Sequence, residues 1–185
     1  MKHLTLALLL TLPGVASFAE TWNGKATIQF DGTSTLHDWG GEVDAEPFKA
    51  EVATDASGSP ESVTSQVTVN ATKMDTADTK RDENMLKAMK APEHPLIQAR
   101  IDTKFSDIAT AGTPQKLPLT LTLLGKPQKV TGTISNWQQS ENKATFDVAW
   151  DLSLKKCGIT VPSVLIFIKV GDTIKVRASV TLTRP

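Results

Sequence analysis

The chain has 185 residues, with 20 basic and 20 acidic side chains, three histidines and one cysteine. Zero formal charge with no basic block removes the electrostatic footprint of a nucleic-acid-binding protein and of a polybasic membrane anchor. A lone cysteine makes no internal disulfide and no Cys-Xaa-Xaa-Cys redox pair, and the length suits one domain whose core needs no staples.

The first residues read as an export signal. Lys2 supplies a positive start, residues 4–12 form a short apolar run, Pro13 and Gly14 break it, and Ser17-Phe18-Ala19 places small residues at a cleavage site. The run is too short to span a bilayer, and no later segment reaches that length. Residues 1–19 are therefore expected to be a signal peptide and residues 20–185 a single exported domain. That domain would be periplasmic if the source is a Gram-negative bacterium.

Period-two alternation then dominates, as it does where one face of a strand is inside and the other in water. Thr27 to Phe30 and the stretch from Trp39 through Val52 are the first expected strands, followed by residues 63–71. One segment changes period: Met85, Leu86 and Met89 fall on one helical face, Thr79 with Asp82 matches a capping box, and Pro92 and Pro95 end the run. One short helix is expected over residues 79–90. Strand resumes over residues 97–105, then at Leu117, Leu119, Leu121 and Leu123, turning at Gly125-Lys126-Pro127 into Val130, Gly132 and Ile134. The cleanest alternation is Ala144, Phe146, Val148, Trp150, Leu152, Leu154, and the last is Ile174, Val176, Ala178, Val180, Leu182. The fold class is thus all-β with one short helix, an antiparallel assembly of about eight strands. A barrel or a sandwich would bury their apolar faces, and periodicity does not choose between them.

Few residues carry recognisable chemistry. Ser34, His37 and Asp38 could suggest a nucleophile. However, neighbours on a strand point to opposite faces, and no Gly-Xaa-Ser-Xaa-Gly elbow is present. His37, His94 and Cys157 lack metal-ligand spacing, so neither an enzyme nor a metal site is expected. Arg81 and Lys80 sit at the helix start, where they would face an anionic head group or join a solvated cluster with Asp78, Asp82 and Glu83. The nearly continuous apolar run 161–170 suits a buried strand, a flap, or a homodimer contact.

The segment Phe30-Asp31-Gly32-Thr33-Ser34-Thr35-Leu36-His37-Asp38-Trp39-Gly40-Gly41 resembles the opening signature of the YceI-like, polyisoprenoid-binding family. So do Arg81-Asp82-Glu83-Asn84-Met85-Leu86, His94-Pro95-Leu96-Ile97, the Leu119–Leu123 strand with its Gly125-Lys126-Pro127 turn, Lys156-Cys157-Gly158-Ile159, and Val170-Gly171-Asp172-Thr173-Ile174. The resemblance spans about Trp22 to Leu182. Gln98-Ala99-Arg100 and Cys157 depart from it at positions where an aromatic residue is common.

The resemblance implies a lipocalin-like barrel with an apolar tunnel and a polyisoprenoid or similar lipid-like ligand; it does not imply enzyme activity, and no cofactor is expected. The tunnel would be lined by Phe30, Trp39, Met85, Met89, Phe105, Leu121, Leu123, Phe146, Trp150 and Ile174, with His37 and Arg81 touching the head group. Flexible, polarisable methionines suit a wall that adapts to isoprene or acyl units. In a filled barrel the same aromatics are simply core. The expected function is then a carrier of a polyisoprenoid, quinone or fatty amphiphile, with a non-catalytic envelope interaction protein as the alternative.

Overall fold

The computed structural model describes residues 18–160 and 169–185. The expected signal segment up to residue 17 and most of the apolar run 161–170 lie outside the described residues. The chain forms β1 (Phe18–Gly32), β2 (Trp39–Asp44), β3 (Phe48–Thr54), β4 (Pro60–Asn70), α1 (Thr79–Ala88), β5 (Leu96–Lys104) and α2 (Phe105–Ile108). There follow β6 (Ala109–Thr110), β7 (Thr113–Pro114), β8 (Lys116–Leu123), β9 (Lys126–Gln139), β10 (Lys143–Ser153) and β11 (Thr173–Thr183).

Eight antiparallel strands hydrogen-bond in the order β1-β3-β4-β5-β8-β9-β10-β11, and β11 returns to β1. The sheet therefore closes, which settles barrel against sandwich and removes exposed edges. β1 is long enough to serve two partners on one edge: Phe18–Gly24 pairs with β3 and Thr27–Gly32 with β2. The expected single strand from Trp39 through Val52 is thus two strands along the same edge of β1. The break falls at Ala45-Glu46-Pro47, where Pro47 has no N–H to give and the Glu46 N–H turns to the Thr68 carbonyl of β4 at 2.8 Å.

On its other edge β2 is tied to Asp75 by a pair of backbone bonds with Glu42, at 2.9 and 3.0 Å. Gly41 makes this close approach feasible. A Cβ at that position would lie 2.6 Å from the Asp75 carbonyl and 2.5 Å from the Phe30 ring.

The remaining differences from the expected elements are local. The helix ends at Ala88, and its cap is Asp78, whose carboxylate accepts from the Arg81 N–H at 2.9 Å. Asp82, expected to close a capping box with Thr79, accepts instead from the Thr76 N–H and hydroxyl at 3.0 and 2.6 Å. The β8–β9 turn is Leu124-Gly125, both with positive φ (53° and 69°), a two-residue hairpin whose twist matches the strands, while Lys126 and Pro127 already belong to β9.

The two ends of the barrel differ. At one end the connections are short, residues 55–59, α2 with the β6–β7 ribbon, and residues 140–142. The other end carries the long connections: 33–38, 71–95 with α1, and 154–172. The core follows this division. Ile108, Ile134 and Val148 pack with Trp137 and Phe146 near the α2 end. Ala71, Met89, Ala91, Leu123, Cys157 and Ile159 pack at the α1 end.

Candidate functional site

Inside the barrel is a cavity of about 450 Å³, within the range of ligand-binding pockets. Alternation builds its wall. The even residues Ala26, Ile28 and Phe30 of β1 face inward, as do Val148, Trp150, Leu152 of β10 and Ile174, Val176, Ala178, Val180 of β11. The odd leucines Leu117, Leu119, Leu121 and Leu123 of β8 stand beside Ile97, Ala99 and Ile101 of the neighbouring β5 and face the same space. Met85 of α1 and Met89, the residue that caps its C-terminal end, close one end. Phe30 and Trp39 meet edge to face at 6.4 Å and 71°, a favoured arrangement of two ring quadrupoles.

Among the described residues, all the charged, hydroxyl and amide side chains on this wall come from two neighbouring places: Ser34 and His37 from the 33–38 loop, and Asp78, Lys80, Arg81 and Asn84 from the start of α1. The cavity is therefore amphipathic along its length, apolar in depth and polar at one rim. Ser34 Oγ donates to the His37 carbonyl at 2.8 Å and accepts from the Leu36 and His37 N–H groups, both at 3.3 Å. This hydroxyl holds a turn and is aimed at no catalytic base. Residues 34–38 are loop and not strand, so it is the Ser34 bonding, not strand alternation, that argues against a nucleophile here. The loop is tethered to the residues that lead into the adjacent β11, since Thr35 N–H donates to the Lys169 carbonyl at 3.0 Å and Gly171 N–H to the Thr33 carbonyl at 2.8 Å.

Arg81 is less available to an anion than its position suggested. Its guanidinium lies 3.5 Å from the Asp78 carboxylate and donates to the Thr76 carbonyl at 3.4 Å. The Arg81 backbone N–H at the helix cap, and then the Arg81 charge, hold the Asp78 carboxyl below its ordinary value.

Ten of the twelve expected ligand-site residues border this cavity: Phe30, His37, Trp39, Arg81, Met85, Met89, Leu121, Leu123, Trp150 and Ile174. Phe105 and Phe146 do not. The chain leaves the sheet after Lys104, so Phe105 opens α2 on the rim of the barrel rather than extending β5 inward. At Phe146 the β9–β10 register shifts, and β9 spends Asn136 and Trp137 there, with Asn136 at φ 55°. The bulge brings Trp137 to 5.1 Å from the Phe146 ring, so the two rings fill the α2 end together.

Sequence reading passed over Phe48, Met74, Leu36 and Asn84, which also border the cavity. Phe48 had the alternation to reveal it. Met74 lies in an irregular connection without a pattern to read. Among the described residues no group of three or more His, Cys, Asp or Glu could hold a metal ion, and no helix is long and apolar enough to cross a membrane.

The YceI-like domain family matches residues 19–182 of the chain. Among solved structures the chain is similar to Burkholderia cenocepacia BcnA, with a TM-score of 0.64 at 17% identity, over 84% of this chain and 95% of that one. It is likewise similar to a polyisoprenoid binding domain from Saccharophagus degradans implicated in plant cell wall breakdown. There the TM-score is 0.64 at 10% identity, over 88% of this chain and 98% of that one. At these identities the likeness is one of fold. No curated protein sequence matches the chain.

Proposed function

The chain belongs to the YceI-like family, and from that premise we propose that it is a non-catalytic binding and carrier protein for a long-chain apolar molecule: a polyisoprenoid, a quinone or a fatty amphiphile. The tail would lie along the apolar wall and the head group at the rim near His37 and Arg81. The observation that carries this reading is the cavity itself, aliphatic and aromatic on every side except one polar rim. A long chain is insoluble because each exposed methylene costs about 0.8 kcal/mol, and such a wall offsets that cost without needing a polar partner. The structural likeness to a polyisoprenoid binding domain supports the same class of ligand. The interaction-protein alternative called for a filled interior, and the cavity speaks against it.

The proposed place of action is the periplasm, reached through the signal peptide read at residues 1–19. Native mass spectrometry of protein purified from the exported fraction, followed by organic extraction, tests both parts. The expected results are an apolar molecule of defined mass and a chain beginning at Glu20. Protein that yields no such molecule, and takes up none when a polyprenol, a quinone and a fatty acid are offered, would overturn the carrier reading. A chain that retains residues 1–19 would overturn the export reading.

A further inference from the structure

The polar rim has a definite hydrogen-bonding sense. His37 Nδ1 lies 2.9 Å from the backbone carbonyl of Asp38. A carbonyl oxygen only accepts, so the proton of this pair sits on Nδ1, and in a neutral ring Nε2 is then left with a lone pair. Among the described residues nothing donates to that nitrogen, although the ring borders the cavity. Around it the Asp78 and Arg81 charges are spoken for. Asp78 caps α1 and pairs with Arg81, which also donates to Thr76. Beside that pair the rim offers a ligand the His37 acceptor nitrogen, with Lys80 and the Asn84 amide as donors.

We infer that the head group this rim receives is an uncharged hydroxyl, its O–H donated to His37 Nε2 and its oxygen accepting from Asn84 or Lys80. This deepens the carrier reading and rests on it. A head group made of acceptors alone, such as an ether or a phosphate dianion, would set lone pair against lone pair at His37. It would also find the nearby guanidinium already engaged by Asp78. Selectivity then resides in the loop that holds the histidine. Its tautomer is fixed by the next residue's own backbone, in the way a neighbouring carbonyl orients the ring of a metal-binding histidine.

The test measures the affinity of the full exported protein, stripped of bound lipid, at one fixed pH. The probes are a polyprenol, its methyl ether, its monophosphate, and an alkylphenol of the same chain length with its own methyl ether. The expected result is that each hydroxyl compound outbinds its ether by roughly 3- to 10-fold, one net hydrogen bond, and that the phosphate gains nothing over the alcohol. The tighter of alcohol and phenol names the source of the hydroxyl. In His37→Phe the ratio of alcohol to ether affinity should fall to about one. Equal binding of alcohol and ether, or a phosphate that binds best, would overturn the inference and leave the carrier reading intact. A preference for alcohol that survives His37→Phe would show that steric exclusion of the methyl group, and not the histidine, sets it, and would overturn it too. Failure of every probe to bind would instead strike the carrier reading itself.

Discussion

The two ends of this barrel are made of the same kinds of residue and do different things with them. At the α2 end Trp22, Trp137, Phe146 and Ile108 close the interior, and Arg184 stacks over Trp22 at 4.8 Å. At the α1 end Trp39, Trp150, Met85 and Met89 stand around open space. The connections explain the difference. Short turns at the α2 end let the strands' own side chains meet, and a bulge in β9 brings one further ring over Phe146. Long connections at the α1 end supply a roof from outside the sheet, so the strands need not fill the space beneath it. Apolar surface at one end holds the fold together, whereas at the other it is left for a guest.

The largest effect expected from this division comes from truncating one tryptophan at each end. Trp22 is 5% exposed and does not border the cavity, so Trp22→Ala should cost roughly 3–5 kcal/mol and leave the amount of bound apolar molecule per folded protein unchanged. Trp150 already borders a cavity, so Trp150→Ala removes fewer contacts, costs less than that range, and lowers ligand retention more visibly than stability. Denaturant midpoints and extracted ligand per protein, measured on both variants, read the contrast. The comparison fails if Trp150→Ala is the more damaging to stability, or if both variants lose ligand equally.

How much of this was legible beforehand follows the same line. β8, β10 and β11 alternate large apolar with polar residues, and their inward faces were read correctly from spacing alone. The first half of β1 was missed, because Gly24 and Ala26 are small where the pattern calls for bulk. Gly24 is small because the Phe48 ring occupies the space a Cβ would take, a fact about a distant strand. Phe146 was assigned to the ligand wall on a correct alternation, and a bulge in a neighbouring strand moved it out of the site. The rim was half legible. His37, Lys80 and Arg81 were noticed as polar residues, but that Arg81 would be occupied by Asp78 needed coordinates. Open space leaves no mark on a sequence, since filled and hollow barrels share one alternation.

A smaller effect separates two depressed carboxylates. Asp147 lies on the barrel wall, held low first by the Ser179 hydroxyl at 2.7 Å and next by the Asn136 amide at 2.8 Å. Asp172 lies at the α1 end, held low first by the Ser153 hydroxyl at 2.7 Å and next by the Lys155 N–H at 2.8 Å. A carboxyl whose folded pKa is lowered contributes stability above its unfolded value, about 3.9, and loses it as pH falls through the folded value. Asp147→Asn should therefore lower Tm at neutral pH by roughly 1–3 °C, with the deficit vanishing in acid. Asp147 joins three neighbouring strands, β9, β10 and β11, whereas Asp172 organises only the start of the 154–172 connection. Asp172→Asn should accordingly move Tm less while loosening the α1 end. Equal shifts in Tm from the two variants would argue that the ends are not energetically distinct.

The smallest expected change in stability is none at all, and it supplies the finest measure of the difference. Cys157 is fully buried among Ala71, Met89, Ala91, Leu123 and Ile159. A reducing agent should leave Tm unchanged for a monomer, since no second cysteine exists to pair with it. Burial pushes the thiol's pKa up, and the Asp172 charge adds to the rise while Gln128 opposes it. Only a thiolate reacts readily, so the native thiol should resist alkylation until this end opens. If the α1 end opens on its own, Cys157 will be modified at a rate that barely responds to low denaturant, because local opening exposes little surface. Bound ligand should slow that rate, and Asp172→Asn should raise it. If the rate instead climbs with the full denaturant dependence of global unfolding, the two ends form one cooperative unit. A guest would then have to enter a barrel as rigid at its mouth as at its closed end.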